Sequence, residues 1–495
     1  MAEPYLFRAE LRRFWRLYAV LLVGLLIWGW MDVRWRGIIE PDRLDRHKTD
    51  LTAYTEAAAA FFDGRDPYAV TNVRGWGYLY PPIFALLLTP LIGLDSQTQV
   101  FLFYLASLVI GLGCYVELRR IIAALARPEV PLPRVVSPGN AHPDSSTGLP
   151  LSAASDWLAM GLAVALPALN TLQRGQVGLL KLYPLLLGTR LVLFPRNTLE
   201  ILLGGIALAF PIALKVTPAL PVGMLLAGLV VRALVVRSDR SLRQSAFMAT
   251  SGVVIGSLVW WLLIPAAVLG WDANIAYLHR WHGKVIVKAE DVRSDDFGGD
   301  VTSPRNQSLA NAAYRMGNWF AYRTKLGPDD RLIDTTETAT GKMPMDAPAA
   351  ERTVWSARVL TVLALAATVI VLGRRGSRLD FAVLMGIGCV ATLVVSPVSR
   401  GHYFVLLAPP LLLIPVWLRT VGYRGIADLT PFIPAAACLA HYLGLEFTGR
   451  IGLLGMTTAF WLWAVLARVL AAGRQPSAAE LAASPANRPT VRRAA

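Results

Sequence analysis

The run LYPPIFALLLTPLIGL, residues 79–94, decides how the rest of the chain is threaded. Its apolar length approaches the roughly twenty residues that a helix needs to cross a bilayer. Counted as a full crossing, it leaves Arg119, Arg120, Arg127 and Arg134 on the outer side and reverses every later loop. Read as a segment that lies in the interface, or dips in and returns, it keeps that basic loop inside. The other basic loops then agree. RSDRSLRQ (237–244), GRRGSR (373–378), RTVGYRG (419–425) and the basic tail all face the cytoplasm, as the bias of Lys and Arg toward cytoplasmic loops requires. The paired prolines Pro81 and Pro82 suit a bent interfacial approach. The reading adopted is therefore an interfacial segment.

Working outward, apolar runs of spanning length recur from end to end of the 495 residues, 55% of which are hydrophobic and 16% charged. Mean hydropathy is +0.48. The pattern is that of an all-α polytopic membrane protein; the alternating strands of an outer-membrane barrel are absent. The start, MAEPYLFRAELRRFWRLYAVLLVGLLIWGW, carries no small-residue cleavage site and reads as an anchor. Arg8, Arg12, Arg13 and Arg16 place the N-terminus in the cytoplasm. Spans are expected near 16–31, 98–118, 154–169, 176–194, 199–216, 217–236, 246–268, 353–373, 380–397, 403–420, 428–446 and 451–472. That makes about twelve, with both termini inside and one transmembrane domain over 1–472. Two long polar segments, 32–80 and 271–352, fall outside. Residues 125–153, rich in Pro, Ser and Gly, are expected to be a flexible cytoplasmic loop, and 473–495 a disordered basic tail.

The net charge, 48 − 33 = +15, would suggest nucleic acid in a soluble protein. Here the cations sit in short loops beside spans and no nucleic-acid-binding motif accompanies them, so no nucleic-acid partner is expected. Cys114, Cys389 and Cys438 lie in apolar runs without disulfide or metal spacing. His279 and His282 flank Trp281 without acidic ligands at useful spacing. No Asp-x-Asp pair of the kind that holds a divalent ion for nucleotide sugars is present, so neither cofactor nor metal is indicated. No clear internal repeat is visible, which weakens a transporter reading.

Polar residues at the outer span ends carry the chemistry. They are Asp50 in HKTDLTAYTEAAAAFFDGRDPY (47–68), Arg174 and Gln176 in NTLQRGQVGLL (170–180), and Lys215 in ALKVTPAL (213–220). SPRNQSLANAAYR (303–315) and SPVSRGHYFVLLAPP (396–410), with Arg400 and His402, lie on the same side. A charge inside a span costs roughly 2.5–3.5 kcal/mol, so it is seldom kept without a partner or a role. Each has a plainer explanation. Asp50 can be a helix N-cap, Lys215 and Arg174 can snorkel to headgroups, His402 can be an interfacial histidine, and Asn306-Gln307-Ser308 fits a glycosylation sequon. Yet Asp50, Tyr54, Ala57 and Phe61 share a helical face, and all the groups converge on one side. A carboxylate, several cations and a histidine at a membrane mouth suit an anionic lipid-linked donor and a hydroxyl acceptor. Cations neutralise a departing phosphate; a carboxylate takes the proton of the attacking hydroxyl.

At these residues the chain resembles glycosyltransferase family 87, the polyprenyl-phosphate-sugar-dependent membrane transferases of the C-type superfamily. The matching pieces are DLTAYTEAAAAFFDGRDPY with YLYPPIFALLLTPL, then RGQVGLL, ALKVTPAL, NQSLANAAYR and SPVSRGHYFVLLAPP, in the family's order over roughly residues 45–410. The resemblance implies a C-type fold whose first large outer loop carries interfacial helices. It makes Asp50 the catalytic base and puts His402 near the donor phosphate or in proton handling. Lys215, with Arg400 and Arg174, becomes a phosphate contact; Tyr54, Tyr80, Gln176, Asn306 and Tyr403 become cavity residues. Many family members carry an aromatic residue in place of Arg400 and a second histidine in place of Tyr403, which gives Arg400 a phosphate-binding part of its own. The implied reaction is inverting transfer of a hexose, mannose first, from a polyprenyl phosphate to a lipid or glycan hydroxyl at the extracytoplasmic face of the plasma membrane. An arabinofuranosyltransferase of the same superfamily, or a transporter or flippase of a lipid-linked sugar, is the alternative.

Overall fold

The computed structural model describes residues 3–126, 153–287, 305–309, 312 and 347–473. Its first helix, α1 (Glu3–Trp28), runs on through a π turn and a 3-10 turn to Gly37. A second helix, α2 (Leu51–Phe62), follows and buries nine of its twelve residues. The run that decides the threading forms no helix of spanning length. Pro82, at the first turn of α3 (Pro82–Leu87), starts a helix of only six residues, and a 3-10 turn at Thr89–Leu91 ends it. Six residues rise about 9 Å, far short of a bilayer. Pro81 is extended, so the helix begins no earlier than Pro82.

Asp95 then caps α4 (Ser96–Leu125), accepting from the Thr98 N–H at 3.0 Å. Four helices follow: α5 (Ala154–Arg174), α6 (Gly178–Leu193), α7 (Thr198–Leu214) and α8 (Ala219–Val235). Beyond them come Arg240–Leu269, Arg352–Arg375, Arg378–Val395, Gly401–Thr420, Arg424–Leu443 and Leu453–Gly473. Among the described residues, eight segments are long and apolar enough to cross as they stand. The other four of the roughly twelve expected spans correspond to α5, α6, α7 and α8, of 21, 16, 17 and 17 residues, which stand outside those eight. The expectations for 125–153, for the tail and for most of 271–352 fall outside the described residues.

The helices pack through small residues where backbones meet. A Cβ on Gly252 would stand 2.3 Å from the Leu202 carbonyl oxygen, and one on Gly205 2.3 Å from that of Ala249. Gly252 and Gly256 are four apart, the spacing that lets two membrane helices touch. Several charges in the helical body are paired. Glu117 accepts from Arg190 and, at 2.7 Å, from Arg120. Asp156, fully buried, takes both terminal nitrogens of Arg419 at 2.6 and 2.8 Å. Truncating one partner of such a buried pair strands the other charge, at a cost of about 3–5 kcal/mol. Asp156→Ala is therefore expected to lower the midpoint of detergent-induced unfolding sharply, with Asp428, the second and exposed partner of Arg419, unable to compensate.

Candidate active site

The site is assembled at the end of α5. Gly175 ends that helix in the left-handed region, at φ +67°. A Cβ there would also meet Leu51 Cβ at 2.9 Å and Thr49 Oγ1 at 3.2 Å. Only glycine suits both demands. The turn throws Arg174 and Gln176 to the two oxygens of one carboxylate. Arg174 Nη2 donates to Asp50 Oδ1 at 2.9 Å and Gln176 Nε2 donates to Asp50 Oδ2. Asp50 stands at the N-cap position of α2 but makes no capping bond. The Leu51 N–H goes instead to Thr49 Oγ1 at 3.2 Å, and the Asp50 N–H to the Arg174 carbonyl at 3.0 Å. The capping explanation fails on geometry.

A polar chain extends from this pair. Tyr80 donates to Gln176 Oε1 at 3.4 Å, and the Tyr54 and Tyr80 hydroxyls lie 3.4 Å apart. Burial pushes both phenols well above their ordinary value, so each stays a hydroxyl. Opposite, α7 ends at Leu214 and extended Lys215 turns its ammonium onto the Tyr403 hydroxyl, with the Tyr403 ring centroid 4.0 Å away. Burial, and then the Arg400 guanidinium, push Lys215 down to about 7. Arg400 precedes the 3-10 turn Gly401–Leu407, which places His402 and Tyr403 edge to face at 4.6 Å.

These residues surround one cavity of about 960 Å³. Asp50, Tyr54, Tyr80, Arg174, Gln176, Lys215, Arg400, His402 and Tyr403 all line it. Ala57 and Phe61, assigned to the same face of α2, do not; Phe61 packs edge to face on Tyr277 at 4.8 Å. Asn306 does not line it either. It is 1% exposed, and its Oδ1 accepts from the Ser399 and Ser308 N–H groups at 3.0 and 3.1 Å. It bridges to Arg400 through the backbone, so it sets the Arg400 loop from behind, and its burial removes the sequon reading. Arg305, its neighbour, reaches the wall instead, as do Lys284, Trp76 and Trp281.

Sequence reasoning missed Lys181. It is 2% exposed within α6, its Nζ 3.5 Å from Thr217 Oγ1 and 5.3 Å from the Tyr403 ring centroid, so it backs the Lys215 wall. A lysine five residues inside a span was itself the signal. Among the described residues, the wall carries one acidic side chain, Asp50, and five basic ones, Arg174, Lys215, Lys284, Arg305 and Arg400. Such a wall takes an anionic substrate and keeps one base beside it.

The profile of glycosyltransferase family 87 matches residues 78–397. The chain belongs to glycosyltransferase family 87. It is 25% identical over 482 residues, 91% of this chain and 88% of the other, to the polyprenol-phosphate-mannose-dependent alpha-(1-2)-phosphatidylinositol mannoside mannosyltransferase of Mycolicibacterium smegmatis. No solved structure matches. The enzyme is thus a membrane-embedded glycosyltransferase. The matched residues include Tyr80, Arg174, Gln176 and Lys215; Asp50 precedes them, and Arg400, His402 and Tyr403 follow.

Proposed function

We propose that this glycosyltransferase moves a mannosyl residue from a polyprenyl phosphate to a hydroxyl of a lipid-anchored acceptor, with inversion and without a metal ion, at the outer face of the plasma membrane. One observation carries the reading: the Asp50 carboxylate, held by Arg174 and Gln176, faces a cavity whose other charged lining residues, among those described, are basic. The acceptor oxygen forms its bond to the anomeric carbon as its proton passes to Asp50. The bond from that carbon to phosphate oxygen breaks on the opposite side, and the electron pair leaves on the phosphate. Lys215 and Arg400 neutralise the charge that develops there. His402, lining the same cavity, contacts that phosphate, while the Tyr54 and Tyr80 hydroxyls meet the hydroxyls of the sugar.

The donor and acceptor classes are supported by the activity for which the mycolicibacterial relative is named. The outer side is supported by charge: Arg232 and Arg374, bonded at 2.6 Å, and Arg419 with Asp156 sit at the helix ends away from Asp50. The cations take the part that a divalent ion plays in nucleotide-sugar enzymes. The test is to incubate purified enzyme with a panel of polyprenyl-phosphate sugars and native lipid extract, and read products by mass spectrometry. One added hexose from the mannosyl donor is expected, at a rate that chelation of divalent ions leaves unchanged. Transfer only from a nucleotide sugar would overturn the donor assignment.

A further inference from the structure

Behind Asp50 lies a second, closed set of hydrogen bonds that the reaction does not touch. His47 is wholly buried, with Nδ1 3.2 Å from the Ile38 carbonyl and Nε2 2.7 Å from Thr52 Oγ1. Asn72 donates through Nδ2 to Thr52 Oγ1 at 3.1 Å and to the Thr49 carbonyl at 3.4 Å. Its Oδ1 accepts from the Arg74 and Trp76 N–H groups, both at 3.0 Å.

The direction of each bond is forced. A carbonyl only accepts, so Nδ1 carries the proton. The Asn72 oxygen holds two backbone N–H groups, so its nitrogen faces Thr52, and the Thr52 hydroxyl must send its proton to Nε2. The network is satisfied only with His47 neutral. It also closes a loop around Asp50. Asn72 forms the turn that shows Trp76 to the cavity, and Arg174, while bonded to Asp50, has its guanidinium carbon 5.5 Å from the Trp76 ring centroid. Thr49 and Thr52 bracket Asp50 on the other side.

We infer that His47 is a positioning residue: as a neutral imidazole it ties α2 to the Trp76 turn, and so aims the Asp50 carboxylate and its Arg174 partner. This rests on the proposed role of Asp50. Protonating His47 puts a second donor against Thr52 Oγ1 and leaves the Thr52 proton without its acceptor. The charged groups that act on His47 are Arg74 from the turn and Asp50 from the head of α2. Arg36 and Lys48, whose backbones are bonded at 2.9 Å, flank the same segment. Burial first holds the ring below its ordinary value, with the Ile38 carbonyl opposing and Arg74 adding. As pH falls below about 6.5, an opened loop takes up a proton that the ordered loop refuses, and order is lost progressively.

The test compares wild type, His47→Ala and His47→Gln in transfer assays from pH 5 to 8, beside hydrogen exchange of residues 70–77. Gln keeps an acceptor for Thr52 and does not titrate. His47→Ala is expected to lower kcat at least tenfold with donor KM within about twofold. His47→Gln restores the rate at pH 7.5 and shifts the acid limb down by about one pH unit. Corrected for intrinsic rates, protection of the Arg74 and Trp76 N–H groups falls at least tenfold between pH 7.5 and 5.5 in wild type, but not in His47→Gln. Full activity in His47→Ala, an unchanged acid limb in His47→Gln, or protection that ignores pH would overturn the inference. A wild type that orders the turn with the expected pH dependence yet transfers no sugar would overturn the proposed function instead.

Discussion

Asp50→Asn lowers kcat by about 10²–10⁴-fold, the usual contribution of a positioned base, and leaves the donor KM within about threefold. The substitution keeps shape and removes only the basic oxygen. Two donors, Arg174 Nη2 and Gln176 Nε2, address the carboxylate, and asparagine offers one acceptor and one donor. Gln176 absorbs the change by turning its amide over, so that its oxygen meets the new Asn nitrogen. Its nitrogen then faces Tyr80, whose hydroxyl can donate to Tyr54 at 3.4 Å instead. The fold therefore survives, and an unchanged unfolding midpoint is the control. Asp50→Ala is less clean, because it strands the Arg174 guanidinium, whose Nε already lacks a partner. Loss of turnover in Asp50→Asn with donor still bound also separates the transferase from a flippase, which would move its lipid without a base. Wild-type turnover in Asp50→Asn would remove Asp50 from the chemistry.

The parts of this architecture legible from sequence were those with a local physical signature. Hydropathy marked the spans, and the charge of the loops after residues 79–94 argued against a full crossing, in keeping with the six-residue helix found there. The polar groups at one set of helix ends were legible for the same reason, since an isolated charge there needs a partner. What stayed hidden depends on distant chain approach. Nothing local distinguishes Asp50 as a cap from Asp50 as a ligand of Arg174, 124 residues later. Gly175 decides the matter, through a close contact with Leu51 that no periodicity encodes. Asn306 resembled a cavity residue because it lies beside one; the antiparallel bridge to Arg400 turns it inward and turns Arg305 outward.

Lys215→Met is expected to lower kcat/KM for the donor by about 10²–10³-fold, as removal of one preorganised donor at a developing anion does. Unlike the Asp50 substitution, it should act on donor binding as well as on kcat, because the ground-state phosphate already carries charge. The pH dependence gives the sharper test. Lys215 is held down to about 7 by burial and by Arg400, so above that pH the free enzyme carries it increasingly neutral. A bound phosphate diester favours the ammonium, and binding then takes up a proton. By linkage the donor KM rises with pH above about 7, by at most tenfold per unit, until the lysine of the complex also titrates. Lys215→Arg retains charge throughout, so its donor KM should be flat over the same range even if the altered fork geometry weakens binding. Tyr403→Phe removes the hydroxyl partner of Lys215 but keeps the ring 4.0 Å away, and should change the rate far less than Lys215→Met. Initial rates from pH 6 to 9 at varied donor read all three. An alkaline slope shared by wild type and Lys215→Arg would mean that a group other than Lys215 sets it, Lys284 being the other lysine on the described wall.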